Sequence, residues 1–402
     1  MMFADFQDEQ SKHGGIYIHV PFCIKKCPYC YFYSITDNSL MPAYVQYVAK
    51  EINMTSDVLF SFDTIYFGGG TPSLLNPGDI EKVLNAVFKK FKIISRSEIT
   101  LEVNPGTITL EILKDFKSAG INRINIGIQS FNDENLKFLG RIHTAGDAKQ
   151  TIDLSRKAGF SNIGFDLIYG LPGQSKIIWR EDLKNAVDSG AEHLSCYMLT
   201  YEKGTKIDHE RMEEKFEPLS DEKLKFLFEE TIEFLDSHNY FHYEISNFAK
   251  KEFIDSKKKL FNAFCSRHNR KYWSFFPYLG FGPSAHSFIE PFRCWNVRSV
   301  NHYMEAITYG KMPVQDVEEL TREQQIIEAI YLGLRTYDGI NIKWFNKKFA
   351  ADFEDIFEEV LEKLKGEKFI SISEERCFLT KKGMLLLDSI AGLMVGCLKG
   401  ES

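Results

Sequence analysis

The chain lacks several features that would place it in a familiar class of protein. No apolar run approaches the about 18 residues that a membrane-spanning helix needs, and the acidic N-terminus lacks the basic and then apolar layout of a signal peptide. An excess of positive charge is absent too. The formal net charge is −7, which gives no electrostatic reason to expect a nucleic-acid partner. We therefore expect a cytoplasmic protein without a membrane-spanning helix.

Paired cysteines are also scarce. Five of the eight cysteines are scattered singly, which argues against disulfides and fits a reducing compartment. The other three, Cys23, Cys27 and Cys30, form a C-x3-C-x2-C triplet. A structural zinc site normally has four ligands, often as two Cys-x-x-Cys pairs, and no second pair lies nearby. Three thiolates at this spacing can hold three corners of a [4Fe–4S] cluster and leave the fourth iron open.

Short β-rich runs alternate with longer amphipathic stretches in the first half of the chain. The predicted strands are Ile16–Val20, Thr64–Phe67, Ile99–Val103, Arg123–Ile128, Asn162–Ile168 and Glu192–Met198. The predicted helices between them are Pro42–Val58, Pro77–Lys90, Leu110–Ala119, Ala145–Ala158 and Lys176–Asp188. This α/β alternation predicts a parallel sheet covered by helices. Six units rather than eight predict a partial (β/α)6 TIM-like barrel with a lateral opening.

The 402 residues allow one large domain and a smaller one. We predict a tail over residues 1–13, the partial barrel over 14–204, a barrel extension with an aromatic-rich covering segment over 205–313, and a mostly helical, winged-helix-like domain over 314–402. Such small domains often bind DNA, but residues 321–402 carry 12 Lys or Arg against 14 Asp or Glu. We therefore interpret the last segment as a lid or a partner surface.

Glycines and polar residues follow the predicted strands, at the barrel end where active sites lie. Gly69, Gly70 and Thr71 belong to a Gly-Gly-Gly-Thr-Pro-Ser turn whose backbone a ligand could approach closely. A tight strand–helix turn is the alternative interpretation. Four further polar residues lie at or near later strand ends: Glu102, Gln129, Arg141 and Asp166. Each alone could be a solvated residue, but together they predict a convergent polar pocket.

These motifs resemble those of the radical S-adenosylmethionine (SAM) superfamily, and more narrowly the family related to oxygen-independent coproporphyrinogen III oxidase. The resemblance rests on the cysteine triplet, the glycine turn, Glu-Val-Asn-Pro-Gly (102–106), Ile-Gly-Ile-Gln-Ser-Phe (126–131), Leu-Gly-Arg (139–141) and Phe-Asp-Leu-Ile-Tyr-Gly-Leu-Pro-Gly (165–173). It implies a [4Fe–4S] cluster on Cys23, Cys27 and Cys30. It also implies that SAM contacts Tyr17, Gly69, Gly70, Thr71, Glu102, Gln129, Arg141 and Asp166.

Two features point to one branch of this family. The oxidases carry a further cysteine two residues after the third, whereas this chain has Phe32, which is usual in the HemW branch of heme chaperones. The run from His268 to Trp273 also resembles a stretch of that branch, and the resemblance implies a heme contact at His268. A core histidine is the alternative. One departure from the branch is Tyr31, where Asp is usual.

The resemblance therefore implies a chaperone that binds heme and transfers it to a heme-requiring acceptor protein, with a membrane-bound respiratory enzyme as the expected candidate. The chain would carry SAM and the cluster, and a homodimer is compatible with this function. No residue is assigned a catalytic role. Two enzymatic alternatives stay open: the porphyrinogen oxidase, which Phe32 puts in doubt, and a radical SAM methyltransferase that degrades heme.

Overall fold

The computed structural model describes residues 13–253, 260–261, 264–373 and 375–398. Apart from His13, the predicted N-terminal tail lies outside the described residues. The six predicted strands are present as β1 (His13–Val20), β2 (Ser61–Gly69), β3 (Ile93–Val103), β4 (Arg123–Gln129), β5 (Ile163–Tyr169) and β6 (His193–Met198). Each pairs in parallel with the next, from β1 to β6, which confirms the predicted parallel sheet.

Helices connect these strands and cover the outside of the sheet. They are α1 (Met41–Met54), α2 (Pro77–Lys90), α3 (Leu110–Ser118), α4 (Asp133–Phe138), α5 (Ala145–Lys157) and α6 (Lys176–Asp188), with short 3-10 turns at Asn38–Leu40 and Pro72–Leu74. Local sequence sets their ends. In α2 a proline occupies the first turn and two lysines the last, and a capping box between Thr144 and Asp147 begins α5.

Side chains alternate along most of each parallel strand, with register shifts at Gly14/Gly15, Phe62/Thr64 and Ile126/Gln129. Outward-facing residues such as Ile16, Ile65, Leu101, Ile126 and Phe165 are fully or almost fully buried in the main hydrophobic core. The residues between them face the barrel interior, and most of them are polar or glycine: Gly15, Tyr17, His19, Thr64, Tyr66, Gly68, Glu98, Thr100, Glu102, Arg123, Asn125, Gly127, Gly164, Asp166, His193 and Ser195. TIM barrels usually fill this space with branched apolar residues. The interior of this barrel is therefore available for polar interactions.

The segment after the barrel adds strands at both edges of the sheet. Helices α7 (Lys206–Met212) and α8 (Asp221–Ser237) lead to β7 (Tyr240–Glu244), β8 (Asn247–Lys250) and the short strands β9 (Glu252–Phe253) and β10 (Leu260–Phe261). Strand β8 pairs antiparallel with β6. After α9 (Arg267–Trp273), strand β11 (Tyr278–Phe281) pairs in parallel with β1, a contact that the sequence did not predict.

Three antiparallel strands continue the sheet beyond β11: β12 (His286–Ile289), β13 (Phe292–Asn296) and, after α10 (Val300–Thr308), β14 (Val314–Glu319). The order of the 12-stranded sheet is β14-β13-β12-β11-β1-β2-β3-β4-β5-β6-β8-β7. In the described residues its two ends do not pair with each other, so the barrel is open at one side. This agrees with the predicted partial barrel.

The buried carboxylate of Glu51 joins α1 to this extension. It accepts hydrogen bonds from the Gly282 amide (2.9 Å), the Asn296 side chain (2.6 Å) and the Tyr303 hydroxyl (2.6 Å). Burial raises the pKa of Glu51 to about 7, although these three donors oppose the shift. The extension is thus attached to the barrel by a fully satisfied buried polar group.

The C-terminal region is mostly helical and has a hydrophobic core of its own. It contains α11 (Arg322–Arg335), α12 (Ile342–Phe349), α13 (Phe353–Gly366), α14 (Lys381–Met384) and α15 (Leu387–Leu398), with a small sheet of β15 (Ile340–Asn341), β16 (Ile370–Ile372) and β17 (Arg376–Leu379). Its core contains the buried rings of Phe345, Phe353 and Phe357. These helices and the β16–β17 hairpin agree with the predicted winged-helix-like pattern.

Candidate functional site

The three cysteines lie on the loop that follows β1. Backbone hydrogen bonds fix the loop: the Cys23 amide donates to the Ile35 carbonyl at 2.9 Å, and the Ile35 amide donates to the Pro21 carbonyl at 2.7 Å. A side chain of β1 also holds the loop in place, because the ring of His19 contacts the Tyr33 carbonyl at 2.9 Å. Burial lowers the pKa of His19 to about 4, so this ring is neutral at pH 7. The thiols are thus carried by an anchored loop.

Polar side chains from two other loops contact the thiols, and a third side chain connects them. The Thr71 hydroxyl lies 3.6 Å from the Cys23 sulfur, and a guanidinium nitrogen of Arg141 lies 3.7 Å from the Cys27 sulfur. Asn104 connects these two side chains, because it donates to Thr71 at 2.8 Å and accepts from Arg141 at 2.6 Å. The sequence reasoning did not select Asn104. Its position directly after β3, within the Glu-Val-Asn-Pro-Gly motif, was the available signal.

The polar side chains beside the thiols fit an iron–sulfur cluster. A cube carries its irons at separate corners, and hydrogen bonds to its sulfurs tune it. Thr71 and Arg141 are placed to donate such bonds, so the residues present fit a cluster on Cys23, Cys27 and Cys30.

A cavity of about 970 Å³ opens beside this loop. Cys30 lines it, and so do seven of the residues predicted to contact SAM: Gly69, Gly70, Thr71, Glu102, Gln129, Arg141 and Asp166. The remaining predicted contact, Tyr17, lies behind Gly68 with its hydroxyl 3.1 Å from the His19 ring. The structure therefore brings the predicted polar pocket together in one place, with Tyr17 supporting its wall.

Backbone geometry at this wall explains two of the glycines and one unusual glutamine. A Cβ on Gly69, where φ is +111°, would lie 2.6 Å from the His19 ring, and one on Gly70 would lie 2.6 Å from the Phe22 carbonyl oxygen. The glycines thus allow the cysteine loop to pack against β2. Gln129 has φ of 68° where the β4–β5 register shifts. Strained residues and bulges of this kind concentrate beside functional sites.

Two buried carboxylates face the inner part of the cavity. Glu102 accepts from the Tyr66 hydroxyl at 2.8 Å, and burial together with the nearby charge of Asp166 raises its pKa to about 7. One oxygen of Asp166 accepts from Asn125 at 2.7 Å. The Ser195 side chain also donates to Asp166, whereas Nε of Arg141 has no hydrogen-bond partner in the described part of the chain. Buried polar atoms of this kind normally have partners, so a polar ligand such as SAM fits here.

The outer part of the cavity has apolar residues and also polar ones such as Glu202, Arg335 and Asp388, and the C-terminal region supplies one of its walls. Phe32, Leu199, Phe228 and Ile245 line it from the barrel side. Residues 384–389, from the end of α14 into α15, line it from the opposite side. No residue between 264 and 313 lines this cavity. The aromatic-rich segment contains α9 and β11, and it lies beside β1 because β11 pairs with β1. Its predicted covering role stays a prediction.

His268, the predicted heme contact, lies inside the barrel rather than on the cavity wall. It is 1% exposed, and its ring nitrogens contact the Thr64 hydroxyl (2.8 Å) and the Tyr272 hydroxyl (2.8 Å). Its ring stacks on Tyr66 at 5.2 Å, and burial lowers its pKa to about 3. Neither nitrogen is free for iron in this arrangement. The geometry favours the alternative of a core histidine, and the heme contact stays a prediction.

The opposite face of α9 lines a separate crevice of about 310 Å³. Arg270, Trp273, Phe275 and Phe276 lie on one side of it, and C-terminal residues such as Trp344 lie on the other. Some aromatic residues near His268 therefore lie with it inside the barrel, and others line this crevice. The sequence run from His268 to Trp273 could not reveal that division, because it depends on where α9 packs.

Comparison with known proteins agrees with this geometry. Residues 17–186 match the radical SAM superfamily, and residues 320–386 match the HemN C-terminal domain. The chain is 34% identical over 384 residues to the heme chaperone HemW of Bacillus subtilis, covering 94% of this chain and 98% of that protein. It is 31% identical over 380 residues to the heme chaperone HemW of Lactococcus lactis, covering 94% and 96%.

Among solved structures, coproporphyrinogen III oxidase (HemN) of Escherichia coli, a radical SAM enzyme, matches with a TM-score of 0.79. The match covers 96% of this chain and 90% of that one at 23% identity, so it supports the fold. Among the described residues, the structure contains no helix that is long and apolar enough to cross a bilayer. From its sequence relatives and from the site built on its cysteine loop, the chain belongs to the HemW family of radical SAM proteins.

Proposed function

We propose that this protein is a heme chaperone that carries a SAM-binding [4Fe–4S] cluster. The observation that carries the proposal is the similarity to proteins named heme chaperone HemW, which runs through the barrel, the extension and the C-terminal region. Phe32 supports it. This side chain is 64% exposed and lines the cavity where the oxidase pattern implies a further cysteine.

The inner part of the cavity is the proposed cofactor site. Cys23, Cys27 and Cys30 would hold the cluster, with Thr71 and Arg141 donating hydrogen bonds toward its sulfurs. When bound, a [4Fe–4S] cluster supplies a one-electron donor and an iron with an open coordination position. The carboxylates of Glu102 and Asp166 would face the positively charged groups of SAM. The closed inner wall would keep bulk water from the reacting end of the ligand.

The outer part of the cavity is the proposed heme site. Heme is a flat apolar macrocycle with two carboxylates, and the cavity volume of about 970 Å³ lies at the upper end of the range for small-molecule sites, so it leaves room beside SAM. Residues 384–389 would cover one face of the macrocycle. Movement of the C-terminal region would then release heme to an acceptor protein, for which a membrane-bound respiratory enzyme remains the expected candidate.

The setting in which the protein works is part of the same proposal. A cytoplasmic location would protect an oxygen-sensitive cluster, and the described residues contain only free cysteines. A homodimer is also compatible with the exposed cysteine loop, where Ile24, Tyr31 and Phe32 are each more than half exposed. Sedimentation of cluster-loaded and cluster-free protein would test the homodimer directly.

The function is tested by heme titration of anaerobically reconstituted protein, together with a porphyrinogen turnover assay. We expect a Soret band that saturates at one heme per chain and no conversion of coproporphyrinogen III in the presence of SAM and a reductant. Formation of protoporphyrinogen would overturn the chaperone proposal in favour of the oxidase. Consumption of heme with methyl transfer would favour the heme-degrading methyltransferase.

The position of heme is tested by two pairs of variants. Leu386→Glu places a charge on the proposed cover and should weaken heme binding, whereas Leu393→Glu, at an equally exposed leucine of α15 that does not line the cavity, should not. His268→Ala tests the sequence-predicted contact, and Tyr272→Phe removes only the hydroxyl partner of that ring. A Soret band that His268→Ala abolishes while the fold persists would move the heme site to α9.

A further inference from the structure

The chain makes a strained turn at the end of β4, where Gln129 lines the cavity. The Ser130 amide donates to the Ile128 carbonyl at 2.9 Å, and Gln129 between them has φ of 68°. A hydrogen bond that spans a single residue of positive φ marks the rarer and more strained kind of γ-turn. Such a turn persists only where the surrounding structure holds it.

This turn affects two residues of the proposed cofactor site. A Cβ on Gly127 would lie 3.1 Å from Nε2 of Gln129 and 3.5 Å from a guanidinium nitrogen of Arg141, so these two side chains converge. Both line the cavity. Helix α4 follows the turn, and the Arg141 amide donates to the Leu136 carbonyl of that helix at 2.9 Å. The conformation of the turn therefore sets where both side chains lie.

Asp182, on α6, holds the turn from the outer side of the sheet. It is 1% exposed and does not line the cavity. Its Oδ2 accepts from the Ser130 hydroxyl at 2.7 Å, and its Oδ1 accepts from the Phe131 amide at 2.5 Å. The two residues that follow Gln129 are thus both bound by one buried carboxyl group.

The hydrogen bonds around Ser130 determine which form of Asp182 fits. The Ser130 hydroxyl oxygen accepts from the Asn132 amide at 3.1 Å and from the Asn135 side chain at 3.0 Å. A hydroxyl has two acceptor positions and one proton, so its proton is directed at Asp182. The Phe131 amide can only donate. Asp182 therefore faces two donors, and an ionised carboxylate, which only accepts, satisfies both.

Protonation of Asp182 would disturb this arrangement, because it adds a proton among groups that already donate. Burial raises the pKa of Asp182 to about 6, and the charge of Glu181 adds to the shift, whereas the bonds from Ser130 and Phe131 oppose it. The other titratable group that faces Asp182 is Cys196, on β6. Asp182 is therefore mostly ionised at pH 7, and it takes up a proton as the pH falls through about 6.

We propose that Asp182 is a positioning residue for the proposed cofactor site: as a carboxylate it fixes the turn at Gln129 and so places Gln129 and Arg141 against SAM. This inference rests on the proposed SAM site. It goes beyond that proposal by assigning part of the ligand affinity to a residue of a covering helix that does not touch the ligand.

The test is calorimetric titration of cluster-loaded protein with SAM between pH 5 and pH 8. Asp182→Asn keeps the shape of the side chain but replaces one acceptor with a donor. At pH 8 we expect it to bind SAM about tenfold more weakly than the wild type, the loss expected for one hydrogen bond to a charged group. Below pH 6 the wild-type acid is itself protonated, so the two affinities should converge. Glu102 titrates in both proteins, so the ratio of the affinities cancels its effect.

Asp63→Asn is the matched control. Asp63 is also 1% exposed, but it pairs with Lys271 at 2.6 Å and with Arg267 at 2.8 Å, and it does not line the cavity. This variant should lose stability and keep the wild-type profile of SAM binding. Ser130→Ala removes the donor to Oδ2 of Asp182 and should also weaken SAM binding at pH 8, so it replaces Asp182→Asn if that variant does not fold.

Two results would overturn the inference and leave the SAM site intact. Asp182→Asn could bind SAM as the wild type does at pH 8, or it could bind more weakly by the same factor at every pH, which would indicate a general effect on the fold. Failure of both Asp182→Asn and Ser130→Ala to fold would assign these residues to the structural core and overturn it as well. If the wild type binds no SAM at any pH, the proposed cofactor site is wrong, and Asp182 has no ligand to position.

Discussion

The interior of the barrel and the interior of the C-terminal region are both buried, but they differ in chemistry. The C-terminal core is apolar, with aromatic pairs such as Phe345–Phe353 at 5.1 Å and Phe353–Phe357 at 5.0 Å. The barrel interior carries polar residues on every strand, and several of them, including Asn125, Arg123 and Thr100, have atoms without partners in the described chain.

The difference shows that burial has two uses in this molecule. In the C-terminal region, apolar side chains leave water and stabilise the fold. In the barrel, the apolar residues of the strands face outward against the helices. The inward residues therefore do not have to form a hydrophobic core. Sites that keep unsatisfied groups usually do so at some cost in stability. Mutations in the C-terminal core should therefore mainly lower stability, whereas mutations in the barrel interior should mainly weaken ligand binding.

The largest loss of stability is expected in the C-terminal core. Phe353→Ala should lower the free energy of unfolding of that region by about 3–5 kcal/mol, because it removes a fully buried ring and leaves a cavity. Chemical denaturation followed by tryptophan fluorescence measures the change. Phe88→Ala, at a half-exposed phenylalanine of α2, is the control and should cost far less. Equal effects would contradict the assignment of Phe353 to a packed core.

A smaller loss of stability is expected inside the barrel, at His268. His268→Ala leaves the hydroxyls of Thr64 and Tyr272 without their imidazole partner, which should cost about 1–3 kcal/mol. The comparison variant Tyr272→Phe keeps the ring and removes one of these bonds, so it should cost less. Thermal unfolding of both variants measures the difference. No loss in His268→Ala would contradict a core role for this histidine.

The pH dependence of stability separates the two buried glutamates. Glu51, like Glu102, has a pKa raised from 4.5 to about 7. Between these values the unfolded state is ionised while the folded state keeps its proton, so the contribution of Glu51 to stability is present below pH 4.5 and is lost as the pH rises through about 7. The slope is at most about 1.4 kcal/mol per pH unit.

Buried histidines such as His19 and His268, with lowered pKa values, change stability in the opposite direction. The informative quantity is therefore the difference between wild type and Glu51→Gln, measured by denaturant unfolding from pH 4 to pH 8. This difference should fall as the pH rises, while the pH profile of SAM binding stays unchanged. A changed binding profile would mean that Glu51 acts on the cavity.

The smallest change in stability is expected at Asp166. Asp166→Asn replaces a buried acid whose pKa is raised by burial, so the free energy of unfolding should change by less than about 1 kcal/mol or increase. SAM affinity should nevertheless fall by about tenfold or more. Calorimetry and denaturation of the same preparation measure both. A large loss of stability with normal SAM binding would show that Asp166 belongs to the structural core.

The sequence predicted most of the repeating architecture. Helices Pro77–Lys90 and Lys176–Asp188 have the predicted ends, because local signals such as a first-turn proline and an N-terminal serine cap mark them. The alternation of apolar and polar residues along the strands was also visible in the sequence. The sequence did not show which of the two faces the helices cover and which faces the barrel interior. The addition of β11 beside β1 could not be predicted, because it pairs residues more than 250 positions apart.

By itself the sequence determined which groups the protein can offer: three thiols on one loop, a glycine turn, and acids and arginines at successive strand ends. Local spacing is sufficient for this, since each motif follows its own strand. Only the tertiary structure decided that His268 lies inside the barrel, that residues 384–389 line the cavity and that Arg123 is buried in the barrel interior. Those facts depend on contacts between distant segments, which packing determines and no short stretch of sequence contains.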